Sequence, residues 1–126
     1  MSAANMHDPC LNPCFGIDVA DDGSVVVAER HSHDSEAAVR HAGGESGMCA
    51  LREHIGRHGA RPRVCILSSG AAALAVALGL AGLPGGEIML VAPLAIQTAG
   101  RSGREPAPAT PEGRARELAR LAGHLY

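Results

Sequence analysis

The chain has 126 residues, a formal charge of −2 and 2% aromatic residues, with one Phe, one Tyr and no Trp. That length allows one domain with a real core, and the core must be built from Val, Leu, Ile and Ala. With only Phe15 and Tyr126 to stack on bases, any nucleic-acid binding is expected to be weak and salt-sensitive, and the longest apolar stretch, Ala71–Leu83, is too short and too glycine-interrupted to span a bilayer.

Charge is unevenly placed. Residues 1–50 carry Arg30 and Arg40 against eight acids, about −6, and residues 51–126 carry nine arginines against five acids, about +4. No lysine occurs. An arginine-only basic half suits phosphate contacts, because the guanidinium fork matches phosphate oxygens. A GC-rich coding sequence accounts for the same Ala, Gly and Arg excess. Residues 1–14 are polar and lack the apolar segment of a secretion signal. The expected compartment is the cytoplasm, with Cys10, Cys14, Cys49 and Cys65 as free thiols.

Residues 1–13 read as a disordered leader, with two prolines and no periodicity. Cys14–Ala20 and Ser24–Arg30 read as two strands joined by Asp21-Asp22-Gly23, a β-hairpin with Asp18 on its first strand. An aspartate between Ile17 and Val19 is costly to bury unless it is hydrogen-bonded or faces a metal or partner. His31–Ser35 is a polar connection. Glu36–His41 suits a short strand or a helical turn, and Gly43-Gly44 breaks it. Ser46–His58 reads as a helix with Met48, Leu51 and Ile55 on one face.

Pro62 introduces Arg63–Leu67, a continuous apolar run typical of a buried strand. Ser69 is placed to cap a helix over Ala71–Ala81, which Gly82 and Pro84 end. Glu87–Val91 is a further strand, closed by Pro93. Residues 100–109 are Gly-, Pro- and Arg-rich and read as a linker, so 14–99 form the core. Thr110 is an N-cap candidate before Pro111 and a last helix with Ala115, Leu118, Leu121 and Ala122 on its apolar stripe. This order predicts an α/β fold: a mixed sheet opening with a β-hairpin, helices packed on the sheet.

Three segments in order carry a family resemblance. Gly16-Ile17-Asp18-Val19-Ala20 resembles the opening strand of the RuvC-like, DEDD-type insertion-sequence transposases, whose RNase H-like domain begins G-I-D-V-A with the first catalytic aspartate. Leu67-Ser68-Ser69-Gly70, followed by Leu74-Ala75-Val76-Ala77-Leu78-Gly79-Leu80-Ala81-Gly82, resembles their E-A-T-G strand end and following helix, with Leu67 where the family has its glutamate. Val91-Ala92-Pro93 takes the place of V-N-P. Ala109-Thr110-Pro111-Glu112-Gly113-Arg114-Ala115-Arg116-Glu117-Leu118-Ala119 resembles K-T-D-x-x-D-A-x-x-L-A, with Pro111 and Arg114 at the two aspartate positions. The resemblance spans roughly residues 14–122.

What the resemblance implies is an RNase H-like topology and DNA strand cleavage and transfer, with Mg²⁺ ions held by four carboxylates. It also implies a following C-terminal half with a nucleophilic serine, before which this chain stops. Of the four carboxylates only Asp18 is retained. Leu67 cannot ligate a metal, and Arg114 puts positive charge where the site needs negative. The reading is therefore a degenerate homologue without Mg²⁺ and without autonomous catalysis, with Asp18 paired to Arg114. Glu112 lies one position from a family aspartate and is a weak substitute.

Two other readings stay open. One is a non-enzymatic DNA-binding or dimerisation module, using Arg101, Arg104, Arg114, Arg116 and Arg120 on nucleic-acid backbone or the Ala-rich helix 71–81 as a homo-oligomer contact. The other is a small metal-binding protein using His7, Cys10 and Cys14, with His31 or His33 as the fourth ligand. His54 and His58, four residues apart, read as a solvated helix face, and Cys49 and Cys65 as small buried hydrophobes. Ser68-Ser69-Gly70 is neither a nucleophile elbow nor a phosphate loop, since the required glycine and lysine are absent.

Overall fold

The computed structural model describes residues 13–30, 36–57, 61–83, 85–92 and 110–125. Residues 1–12 of the leader, the polar connection 31–35 and the linker over 100–109 lie outside the described residues; Pro13, read as the end of the leader, is buried and its carbonyl accepts the Arg63 amide at 2.9 Å. Eight elements follow in order: β1 (Cys14–Val19), β2 (Val25–Arg30), β3 (Glu36–His41), α1 (Gly44–Gly56), β4 (Arg63–Leu67), α2 (Ala71–Leu80), β5 (Glu87–Val91) and α3 (Pro111–Leu125). They form one five-stranded mixed sheet of order β3-β2-β1-β4-β5. β1–β2 and β2–β3 are antiparallel, while β1–β4 and β4–β5 are parallel. The α/β fold expected from the sequence is thus present. No helix among the described residues is long and apolar enough to cross a membrane.

Strand alternation sorts the side chains into two layers. Phe15 and Ile17 of β1, Val25 and Val27 of β2, and Val64 and Ile66 of β4 share one core with Leu51 and Ile55 of α1 and Ala73, Val76 and Leu80 of α2. The intervening residues face α3. Cys14, Cys65, Leu67 and Val91 pack with Leu118 and Ala122, and Val26 and Ala28 pack with Ala115 and Ala119. Helices therefore cover both faces of the sheet, which is why β1 and β4 are apolar on consecutive residues.

Local chemistry explains most boundaries. In the hairpin, the Ala20 amide donates to the Ser24 carbonyl at 2.8 Å and the Gly23 amide to the Ala20 carbonyl at 2.9 Å. Asp22 Oδ1 accepts from the Ser24 amide at 2.9 Å and its hydroxyl at 2.6 Å, closing the turn from the side chain. Thr110 caps α3 as expected, its Oγ1 accepting the Gly113 amide at 3.0 Å.

Of the two readings left open for Glu36–His41 the strand is the one formed, because β2 offers it a full antiparallel register. Other expectations are corrected. Ser69 does not cap α2; Gly70 is the N-cap residue, with no side-chain hydrogen bond there. Helix α1 starts two residues before Ser46 and ends at Gly56. Cys49 is exposed, not buried, whereas Cys65 is buried as read.

Gly16 is the point where α3 meets the sheet. A Cβ there would fall on the Ala115 carbonyl oxygen and the Ala119 amide nitrogen of α3. Only a glycine lets the helix backbone come this close to the strand. We expect Gly16→Ala to lower unfolding free energy by about 3 kcal/mol, the upper end of ordinary overpacking, measured by urea denaturation. A cost under about 0.5 kcal/mol would show that α3 is not seated there.

Candidate functional site

Asp18 sits near the C-terminal end of β1 on the face that α3 covers, with its side chain 2% exposed. Arg114 comes from the first turns of α3, whose start Thr110 and Pro111 define. Its Nε donates to Asp18 Oδ2 at 2.7 Å, across 96 residues of sequence. This is the ion pair anticipated in the sequence. The parallel register matches Ile17 to Ile66. One further step of it sets Leu67 beside Asp18 on the same face, where Leu67 packs with Leu118 and Val91. The side chain next to the carboxylate is therefore apolar.

Beside this pair a second set of contacts ties the hairpin and β3 to the start of α3. Arg40 of β3 donates to Glu112 Oε2 from Nη2 at 2.9 Å and from Nε at 3.2 Å, and to Ser24 Oγ from Nη1 at 2.8 Å. The Arg40 hydrogen bonds hold the Glu112 carboxyl below its ordinary range. The Ser24 hydroxyl does the same, first among several causes, for Asp22. Glu112 is thus committed to Arg40 and does not substitute for a missing ligand beside Asp18.

A divalent cation would need converging carboxylate and water oxygens. Here the Asp18 carboxylate is held by a guanidinium, its strand neighbour is Leu67, and Pro111 offers no ligand. The residues do not fit such an ion. Among the described residues no three His, Cys, Asp or Glu side chains are grouped to hold a metal.

A buried polar chain on the opposite face escaped the sequence reading. His54 of α1 is buried, not solvated, and packs edge-on to Phe15 with ring centroids 6.1 Å apart. Its Nε2 lies 3.5 Å from Oε1 of Glu29, itself buried, and its Nδ1 lies 3.2 Å from His41 Nε2. Glu29 falls on this face because it continues the alternation of Val25 and Val27. The available signal was Leu51-x-x-His54-Ile55, which puts His54 within the apolar stripe of α1. Burial, then the neighbouring His54 and Arg57, holds His41 below the ordinary imidazole range. The chain links β2, α1 and β3 through the imidazole–imidazole hydrogen bond and the 3.5 Å contact of His54 with Glu29.

No protein-family model matches the chain, and no curated protein matches it.

The remaining candidates are scattered. Arg116 and Arg120 are exposed on α3, and Arg120 lies 3.3 Å from Glu117 one turn earlier. Arg101 and Arg104 lie outside the described residues, as do His7, Cys10, His31, His33 and His58. Cys14 is buried under α3, and burial pushes its thiol up against the opposing pull of Arg63 and Arg30. Burial also pushes Cys65 to about 11, so neither is a ready thiolate. On α2, Leu74 and Leu78 are 50% and 69% exposed.

Removing Arg114 leaves a carboxylate in a nearly closed site, whereas the Arg116 side chain is exposed. We expect Arg114→Ala to cost about 3 kcal/mol and Arg116→Ala under about 0.5 kcal/mol, by urea denaturation. Asp18→Asn falls between them, because the partly exposed guanidinium left behind regains water. Equal effects of the two arginine variants would refute the structural role of the pair.

Proposed function

We propose that this chain is a transposase-like RNase H-type domain in which the metal site has been replaced by an internal ion pair, making it a non-catalytic module of DNA transposition. The observation that carries the reading is one of convergence. Asp18, Leu67 and Arg114 stand where the resemblance assigns an aspartate, a glutamate and an aspartate. In the fold Arg114 is bonded to Asp18, and Leu67 follows Ile66 in the register with Ile17. Residues far apart in sequence meet where a catalytic cluster would have to meet. The strand order, with a hairpin-first antiparallel half and a parallel half, supports the same reading. The guanidinium supplies the positive charge that metal ions would otherwise bring to Asp18. In this reading the domain acts in the cytoplasm, and any DNA contact is weak and salt-sensitive because it rests on surface arginines.

The test restores what the reading says was lost. Leu67→Glu combined with Arg114→Asp gathers three carboxylates at one place, which repel unless a cation joins them. We expect this double variant to unfold at lower temperature than the parent and to be selectively stabilised by Mn²⁺. Amide resonances around residues 18 and 67 should broaden, and the parent should show neither effect. Selective Mn²⁺ broadening at Asp18 in the parent would overturn the loss of the metal site. No Mn²⁺ response in the variant would overturn the correspondence of positions.

A second reading, a homodimerisation module, is favoured by α2. The helix carries no charged residue, and Leu74 and Leu78 face outward. A helix apolar all round normally has its outer side covered. We expect the mass from light scattering to double at high protein concentration and return to the monomer value in Leu78→Glu. A monomer throughout would exclude this reading.

A further inference from the structure

The two edges of the sheet are built differently. β3, at one edge, carries Glu36, Arg40 and His41, and Arg40 is bonded to Glu112 of α3. Charge on an edge strand guards it against pairing with another chain. β5, at the other edge, reads Glu-Ile-Met-Leu-Val and has no such guard beyond Glu87 at its first position. We propose that β5 pairs antiparallel with β5 of a second copy, doubling the five-stranded sheet across a two-fold axis. The proposal deepens the homodimerisation reading above and rests on it: that reading asks only that α2 be covered, and this one fixes the edge and the register.

The backbone sets the register. The Glu87 amide donates to the Pro62 carbonyl at 2.9 Å, and the Val91 carbonyl accepts the Ser68 amide at 2.8 Å. Glu87, Met89 and Val91 therefore turn their polar groups toward β4, and Ile88 and Leu90 turn theirs away from it. Among the described residues no partner takes these outward groups. With Met89 opposite its own copy on the two-fold axis, Ile88 of each chain meets Leu90 of the other as a hydrogen-bonded pair. The outward amides and carbonyls are then satisfied, and Glu87 stands opposite Val91, not opposite another carboxylate. A register shifted toward the strand start would need Gly86, whose amide already donates to the Leu83 carbonyl at 3.3 Å. The chain turns there, with Gly85 at φ of 70° against the side chain of Arg61, itself at φ of 62°.

The side chains agree with this pairing. Ile88 packs against the α1–α2 core, so Leu90, two residues on, faces the same side, and it is 43% exposed. Gly79 of α2 lies against Met48 of α1, and α1 lies toward β2 and β3. Leu74 is about 140° around the helix from Gly79, on the side toward β5. The exposed Leu74, Leu78 and Leu90 thus form one apolar strip along the β5 edge. Helix α2 carries no charge, so nothing on it repels its own copy. A stable interface buries about 800 Å² per partner, more than three partly exposed leucines supply. Strand pairing adds Ile88, Met89 and the edge backbone.

The experiment measures amide hydrogen exchange of the full chain over the concentration range in which light scattering follows its mass. Expected is a dimer whose Ile88 and Leu90 amides exchange roughly tenfold more slowly than in the monomer. Leu90→Lys, at an exposed position, should keep the melting temperature of the dilute parent and weaken dimerisation roughly tenfold. Met89→Cys should give a disulfide between the two introduced thiols on mild oxidation, located by peptide mass. A non-hydrogen-bonded antiparallel pair sets its Cα atoms about 4.5 Å apart, within disulfide range. A dimer that Leu78→Glu breaks, but whose Ile88 and Leu90 amides exchange as in the monomer or whose introduced thiols do not link, would overturn edge pairing and leave homodimerisation standing. A monomer at every concentration would overturn both and leave the edge to a strand of another protein.

Discussion

Everything at the Asp18 end depends on how closely α3 lies on β1. Gly16 removes the one side chain that would hold the helix off the strand, and Ala115 and Ala119 keep the helix side of that contact small. This close seating is what makes Asp18 buried and what brings Arg114 within 2.7 Å of it. Two residues along β1, the same geometry that is a packing necessity at Gly16 becomes an electrostatic one at Asp18.

A buried carboxylate facing a cation is weak evidence for stability in its own right. Desolvating both partners offsets much of their attraction, while losing one partner leaves an uncompensated charge. The pair is best understood as a constraint: Asp18 requires a cation, and Arg114 supplies one from within the chain. It fixes the rotation of α3 about its axis, because only one helical face carries Arg114 inward. The Arg40–Glu112 contact acts in the same sense from the exposed side, holding the helix start to β3. Together they anchor a helix whose connection to β5 lies outside the described residues.

The two faces and two ends of the sheet carry different chemistry. The α1–α2 face holds the apolar core with the Glu29–His54–His41 chain at its margin. The α3 face holds the ion pair. The end where β4 and β5 begin carries Arg61 and Arg63 around an open cleft.

The elements themselves were legible because they rest on local signals: alternation in the hairpin, the apolar run of β4, the Thr110-Pro111 start of α3. The Asp18–Arg114 pair was legible too, since an aspartate between Ile17 and Val19 demands a partner and the resemblance placed an arginine where one was required. His54 was misjudged because it was weighed against His58 alone, not against Leu51 and Ile55, whose stripe it joins. Ser69 was misjudged because cap preference says nothing about the backbone angles that made Gly70 the cap. The Arg61–Gly85 contact was out of reach, because left-handed backbone at an arginine has no sequence signature. The sequence by itself determined which residues form strands and helices and that Asp18 needed compensation, since period and burial cost are properties of the chain. Which face each strand residue meets, and that Arg61, Arg63 and Gly85 share one cleft, only the tertiary structure decided, because strand order and helix seating are set by packing between distant segments.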